Sequence, residues 1–265
     1  MNRKIMAALL AALVAMPAMA DDFDKLKAKG ELVIGVRDSS PPFGFFDKAK
    51  GTVSGYDIDF ALWIANKLAL KPVFKTVDPA DRIKVLKEGK VDIVVASLAK
   101  TAEREKEVDF SFGYYVSTQK LVAKKGKFTD LLQLDKMSVC APSGTTNAKY
   151  LQDISQSVKI VAPPDYAEAF SALVAGKCDA VSGPEATLLG NLAKLPNRNE
   201  YEVPDVPIAS EAIGVGVRKG EKRLLKAVND ALSEAETSGE ATKIFNRWFG
   251  ESAAVKLQRT FKINR

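Results

Sequence analysis

Apolar residues fall along this chain in two alternating rhythms. Short unbroken apolar runs, of the kind buried strands make, are followed by stretches where apolar positions recur every three or four residues, as on one face of a helix. Glu31–Arg37 predicts a buried strand, and the proline-bearing Asp38–Phe43 a loop. Tyr56–Leu70 carries Ile58, Leu62, Ala65 and Ala69 at helical spacing. Val73–Val77 reads as a strand, Asp81–Gly89 as a short helix closed by its glycine, and Val91–Leu98 as another buried strand.

The pattern then restarts. Met137–Ala141 predicts a strand, and Ser143-Gly144-Thr145-Thr146 opens a helix running through Leu151. Val158–Ala162 is a strand, Tyr166–Ala175 a helix ended by Gly176, and Cys178–Ser182 a strand. Such alternation indicates an α/β chain with parallel sheets and crossover helices, here as two units of similar design without a sequence repeat. Ala212–Arg218 predicts one more strand, and Leu224–Ser238 and Glu240–Phe249 two amphipathic helices. Coming after the second unit is complete, they are expected to return to the first, giving two crossings between lobes. The expected division is lobe 1 over 21–117 and 212–265 and lobe 2 over 118–211. Two open α/β sheets facing each other place a ligand cleft at the carboxyl ends of their strands.

The first twenty residues stand outside this pattern. Arg3 and Lys4 precede the apolar run Ile5–Met16, which ends in Pro17-Ala18-Met19-Ala20. The run is too short for a bilayer core of about 30 Å, and its flanks predict a signal peptide, residues 1–20, cut after Ala20. The mature chain is thus expected in the periplasm. No cysteine follows the run to take a lipid anchor.

Composition narrows the function. The chain has 39 Lys plus Arg against 33 Asp plus Glu. Without Arg3 and Lys4 the count is 37 against 33, or +4. The charge is scattered and forms no basic stripe, so nucleic acid is not an expected partner. A mildly positive field draws in anions. There are no histidines, which removes the commonest general base and the commonest zinc ligand. No metal or cofactor is expected. Cys140 and Cys178 both lie in strand-like runs, and export to an oxidising compartment favours pairing. They can pair only if those strands are neighbours; otherwise they are buried thiols.

Three groups of residues carry candidate chemistry. Ser143, Gly144, Thr145 and Thr146, between a strand and a helix, offer backbone N–H groups, a helix dipole and hydroxyls to an anion; an ordinary capped turn reads the same way. Ser97–Arg104 follows a buried strand, and Arg104 there can grip a carboxylate through two parallel hydrogen bonds or pair with Glu103 or Glu107 on the surface. Arg37, Asp38, Phe43 and Arg82 sit at element ends, where two further arginines facing one cleft would suit a second carboxylate.

Gly55-Tyr56-Asp57-Ile58-Asp59-Phe60 with the helical spacing after it resembles the signature of periplasmic binding proteins for polar amino acids. Thr101-x-Glu103-Arg104, Val108-Asp109-Phe110-Ser111 and Tyr114-Tyr115 resemble the family's next block. The resemblance runs from about Glu31 to Phe249. Val36-Arg37-Asp38-Ser39-Ser40-x-Pro42-Phe43, Arg82-Ile83, Ser143-Gly144-Thr145-Thr146 and Ser238-Gly239-Glu240-Ala241 look most like the glutamate/aspartate-binding branch.

The resemblance implies a type II periplasmic-binding-protein fold, two lobes joined by two crossing strands and closing over a small ligand. It implies a monomer that serves an ABC permease in the inner membrane and is not an enzyme. It implies that Arg104 and Thr146 hold an α-carboxylate, that Arg37, Arg82 and Tyr166 meet the side chain, and that Ser97 offers its carbonyl to the α-ammonium. The chain departs from that pattern twice. Ala99 stands where the family has a hydroxyl, and Pro184 where it has an acid, with Glu185 next to it. Either Glu185 swings in, or the ligand is a dicarboxylate without an amino group. An enzymatic alternative pairs Glu185 with Lys100, as in dehydratases of cyclohexadienyl acids that share this fold.

Overall fold

The computed structural model describes residues 23–263. The expected signal peptide lies outside the described residues. In chain order, α1 (Phe23–Lys29) leads into β1 (Glu31–Val36), and β2 (Ser39–Ser40), β3 (Gly44–Asp47) and β4 (Thr52–Ser54) form a small antiparallel sheet. Then come α2 (Tyr56–Lys67), β5 (Lys71–Thr76), α3 (Arg82–Lys87), β6 (Ile93–Val94), α4 (Ala102–Glu107) and the 17-residue β7 (Val108–Lys124). The second unit is β8 (Ser138–Cys140), α5 (Asn147–Ile154), β9 (Lys159–Val161), α6 (Tyr166–Val174), β10 (Ala180–Pro184) and α7 (Glu185–Leu192). β11 (Tyr201–Glu202), β12 (Ala209–Arg218), α8 (Lys222–Thr237) and α9 (Glu240–Phe249) complete the chain.

Two parallel groups flank one antiparallel pair. β5, β1 and β6 are parallel on one side, and β10, β8 and β9 on the other. Between them β7 and β12 run antiparallel from Gln119 opposite Ala209 to Val108 opposite Arg218. Gly216 and Val217 of β12 pair with β6, whereas Gln119–Ala123 of β7 pair with β10. The same two strands therefore belong to both lobes and cross between them twice. Their register shifts at Ile213/Gly214 and Gly214/Gly216, which bends and twists the ribbon at that point. The chain is the expected two-lobed α/β fold with two crossing strands.

The two lobes have different cores. The first packs aromatic rings edge to face and tilted around Tyr56, with Phe43, Phe60, Tyr115, Phe245 and Phe249 within 6.4 Å of its ring centre. Such pairs contribute about 0.5–1.5 kcal/mol each beyond their burial. The apolar faces of α8 and α9 close this core: Leu224, Val228, Leu232 and Ile244 lie in one cluster with Ile34 and Phe60. The second lobe has two smaller clusters, one around Val139, Leu121, Leu151 and Phe128 and one around Tyr166, Phe170 and Tyr201, the latter holding Cys140 bridged to Cys178. β8 and β10 are neighbours, so the geometric condition for that bridge is met.

Three elements differ from the sequence expectation. The strand expected over Val91–Leu98 has regular pairing only at Ile93–Val94. β7 has no counterpart in the sequence reading, because it changes lobes along its length and its buried positions follow no single alternation. Ser143–Thr146 forms a turn rather than helix, with Gly144 at φ 71°, and the helix begins at Asn147.

Candidate functional site

A cavity lies between the lobes where the sequence reading expected a cleft. The first lobe lines it with Arg37, Ser40, Arg82, Ser97, Ala99 and Arg104. The second contributes Thr145, Thr146, Asn147, Tyr166, Pro184 and Thr187. Gln119 on β7 and Glu211 on β12 add the crossing strands. Most of these residues sit at the ends of strands or the starts of helices, where backbone ends and side chains converge.

The three arginines are not equivalent. Arg82 is 3% exposed and almost saturated: Nε donates to Pro79 O at 2.9 Å, Nη1 to Ala96 O at 2.9 Å and Ser97 O at 3.0 Å, and Nη2 to Gly144 O at 3.0 Å. Four of its five N–H groups are used. Arg104 donates Nη1 to Ala99 O at 2.9 Å and Nη2 to Gly144 O at 2.8 Å, keeping three N–H groups. Arg37 is 2% exposed; Nη2 reaches Ser39 Oγ at 3.1 Å, and Nε has no partner. Burial holds all three below the usual guanidinium range, Arg82 furthest because Arg104 and Arg37 repel it as well.

Ser97 is held in an unusual conformation. Its φ is 49°, a left-handed value uncommon for a residue with a side chain. Asp57 of the Gly-Tyr-Asp-Ile-Asp motif supports it, accepting from the Ser97 hydroxyl at 2.9 Å and from the Tyr114 hydroxyl at 2.8 Å. Asp57 is fully buried, and burial raises its pKa to about 6 despite those donors. This arrangement aims the Ser97 carbonyl at Arg82.

On the opposite wall, the Thr146 side chain does not cap α5 and donates instead to Glu211 Oε2 at 2.7 Å. Thr145 Oγ1 donates to Pro142 O at 2.6 Å. Tyr166, pushed up to about 12 by burial, accepts from Asn147 Nδ2 at 3.0 Å. The lobes touch at Gly144, whose carbonyl accepts from both Arg82 and Arg104. A Cβ on Gly144 would lie 2.3 Å from Ala80 Cα, so this approach requires glycine.

Arg37, Arg82, Ser97, Ala99, Arg104, Thr145, Thr146 and Tyr166 thus come together, and four expected residues stand apart. Phe43 is 1% exposed inside the aromatic core. Asp38 is exposed, and its carbonyl accepts from Phe46 N. Ser143 turns its hydroxyl to Ala162 O. Glu185 does not swing in to replace the acid absent at Pro184. Its carboxylate receives Lys120 Nζ at 2.8 Å, and Lys120 also binds Asp205. Lys100 donates to Ser111 O, so the Glu185–Lys100 pair of the enzymatic alternative does not form. Gln119, Thr187 and Glu211 were not singled out from the sequence.

Residues 32–251 match the model of bacterial extracellular solute-binding proteins, family 3. The chain belongs to this family. It is 34% identical over 239 residues to the ABC transporter glutamine-binding protein GlnH of Bacillus subtilis, covering 88% of this chain and 86% of that one. It is 31% identical over 265 residues to the L-glutamate/L-aspartate-binding protein of Pseudomonas aeruginosa, covering 94% and 88%. Among solved structures, an ancestral arginine-binding protein bound to glutamine superposes with a TM-score of 0.79 at 37% identity, covering 84% of this chain and 99% of that one. Within this family the chain is a solute-binding protein of an amino-acid ABC transporter, not an enzyme. Members at similar identity bind amino acids of different charge, so ligand choice must be sought in the cavity wall.

Proposed function

We propose that this chain captures an acidic amino acid, glutamate or aspartate, in the periplasm and delivers it as a monomer to an inner-membrane ABC permease. The observation that carries this reading is Arg37, a buried guanidinium on the cavity wall whose Nε lacks a partner. Burying a cation without a counter-charge costs several kcal/mol, and a ligand carboxylate removes that cost. Arg104, with three free N–H groups beside Thr145 and Thr146, takes the α-carboxylate. Arg82, nearly saturated by carbonyls, acts through its charge and by fixing the Ser97 and Gly144 loops.

Lobe 1 then comprises 21–117 and 212–265, lobe 2 comprises 118–211, and the β7–β12 ribbon is the hinge. Ligand contacts from both walls stabilise the closed form. A dicarboxylate without an amine remains the second reading, favoured by Ala99 and Pro184 on the wall. Titration calorimetry with L-glutamate and 2-oxoglutarate separates the two, and tighter binding of the keto acid sinks the first. Arg104→Ala should cost more than about tenfold in affinity, or 1.4 kcal/mol; a smaller loss refutes the site.

A further inference from the structure

Two lining side chains on the crossing strands have no role in the reading above. Gln119 and Glu211 project from the crossing strands, and Gln119 Nε2 donates to Glu211 Oε1 at 2.7 Å. That bond sets the amide's orientation, because the reverse would press an amide oxygen against a carboxylate. Gln119 Oε1 is therefore the amide atom left over for another partner. The side chain is 1% exposed, and this oxygen has no hydrogen-bond partner. Leaving a buried acceptor unmatched is unfavourable, and a donor from a ligand removes that cost.

Glu211 is 8% exposed and accepts from Thr146 Oγ1 and from Gln119 Nε2. A carboxylate offers about four acceptor positions, so these two donors leave room for a further one. The neighbouring carbonyls already face guanidiniums, which disfavours a second cation beside them: Ser97 O accepts from Arg82, Ala99 O from Arg104, and Gly144 O from both. Ala99 and Pro184 bring no acceptor side chain to this wall, and Glu185 is bound to Lys120. Among the described residues lining the cavity, Glu211 is the one carboxylate. It lies within electrostatic reach of Arg104, the residue assigned to the α-carboxylate. An ammonium group one carbon away from that carboxylate falls next to Glu211.

We propose that Gln119 Oε1 and Glu211 form the receptor for the ligand's α-ammonium group, and hence that the ligand is an amino acid rather than an amine-free diacid. This rests on the reading of the cavity as a site for carboxylate ligands. The crossing strands then take over the work that an acid at position 184 would do.

The test is calorimetry on the full mature chain with L-glutamate and its amine-free counterpart glutarate. Wild type should prefer glutamate by at least about tenfold, while E211Q and Q119M should each lose about tenfold or more for glutamate and change little for glutarate. Melting curves check that both variants fold, and Q119M is the milder of the two. Equal losses for both ligands, or no loss for either, overturn the proposal, as does a wild type that prefers glutarate. If wild type ignores acidic ligands and binds glutamine, the acidic reading fails alone. The same variants are then compared on glutamine and glutaramate, with the same outcomes deciding.

Discussion

Lobe 1 brings three guanidiniums to the cavity, Arg37, Arg82 and Arg104; lobe 2 brings hydroxyls, an amide and a phenol from Thr145, Thr146, Asn147 and Tyr166. The lobe that carries the charges also has the large aromatic core, closed by the returning helices α8 and α9. The lobe that carries neutral dipoles has two smaller clusters, one mainly aliphatic and one around Tyr166, Phe170 and Tyr201, and the disulfide. On the proposed reading, the charges of lobe 1 attract the ligand over distance and the neutral groups of lobe 2 complete the contacts on closure. Lobe 1 holds Arg37 and Arg82 buried without a carboxylate in hydrogen-bond contact, a cost to stability.

The sharpest way to break this comparison is to remove the staple. Replacing Cys140 and Cys178 together by alanine should lower stability by about 3–4 kcal/mol, the effect of closing a loop of 38 residues. Limited proteolysis should then cut within 118–211 first. Cleavage spread equally over both lobes would show that they do not differ in robustness.

Asp57 sharpens the comparison from the side of lobe 1. Its folded pKa of about 6 lies above the ordinary 3.8, so the native state keeps a proton that the unfolded chain releases. Its contribution is therefore full below about pH 4 and declines as pH rises to 6, by up to about 3 kcal/mol. The groups facing it are Ser97, Tyr114 and the more distant Arg37. Denaturant titrations of wild type and D57N across pH 4–7 should show wild type losing stability relative to the variant as pH rises. A constant difference refutes the account of this carboxyl.

The smallest expected effect lies where the lobes meet. Gly144→Ala puts a Cβ into Ala80 at φ 71°, and should weaken ligand binding by about tenfold and lower stability by about 1 kcal/mol. Affinity equal to wild type would mean that this approach is not needed for closure.

The sequence made the ends of elements legible. Arg37, Arg82, Arg104 and Tyr166 stand where a strand stops or a helix starts, and the parallel α/β pattern already places such positions at a cleft. Gln119 and Glu211 lie inside the crossing ribbon, where neighbouring apolar residues and the change of lobe hide any periodic signal. Glu185 was misplaced for a different reason. Its partner Lys120 is 65 residues away in sequence, and no local pattern announces that ion pair. Ser143 and Asp38 are next to lining residues but face the other way, a difference of side-chain direction that spacing alone does not resolve.

The most direct test of the central claim is calorimetric titration of the wild-type protein, freed of co-purified ligand, with L-glutamate, L-aspartate, L-glutamine and L-arginine. Buried Arg37 with its unmatched Nε predicts that glutamate or aspartate binds at least about tenfold more tightly than either of the others. Tighter binding of glutamine or arginine would contradict the account.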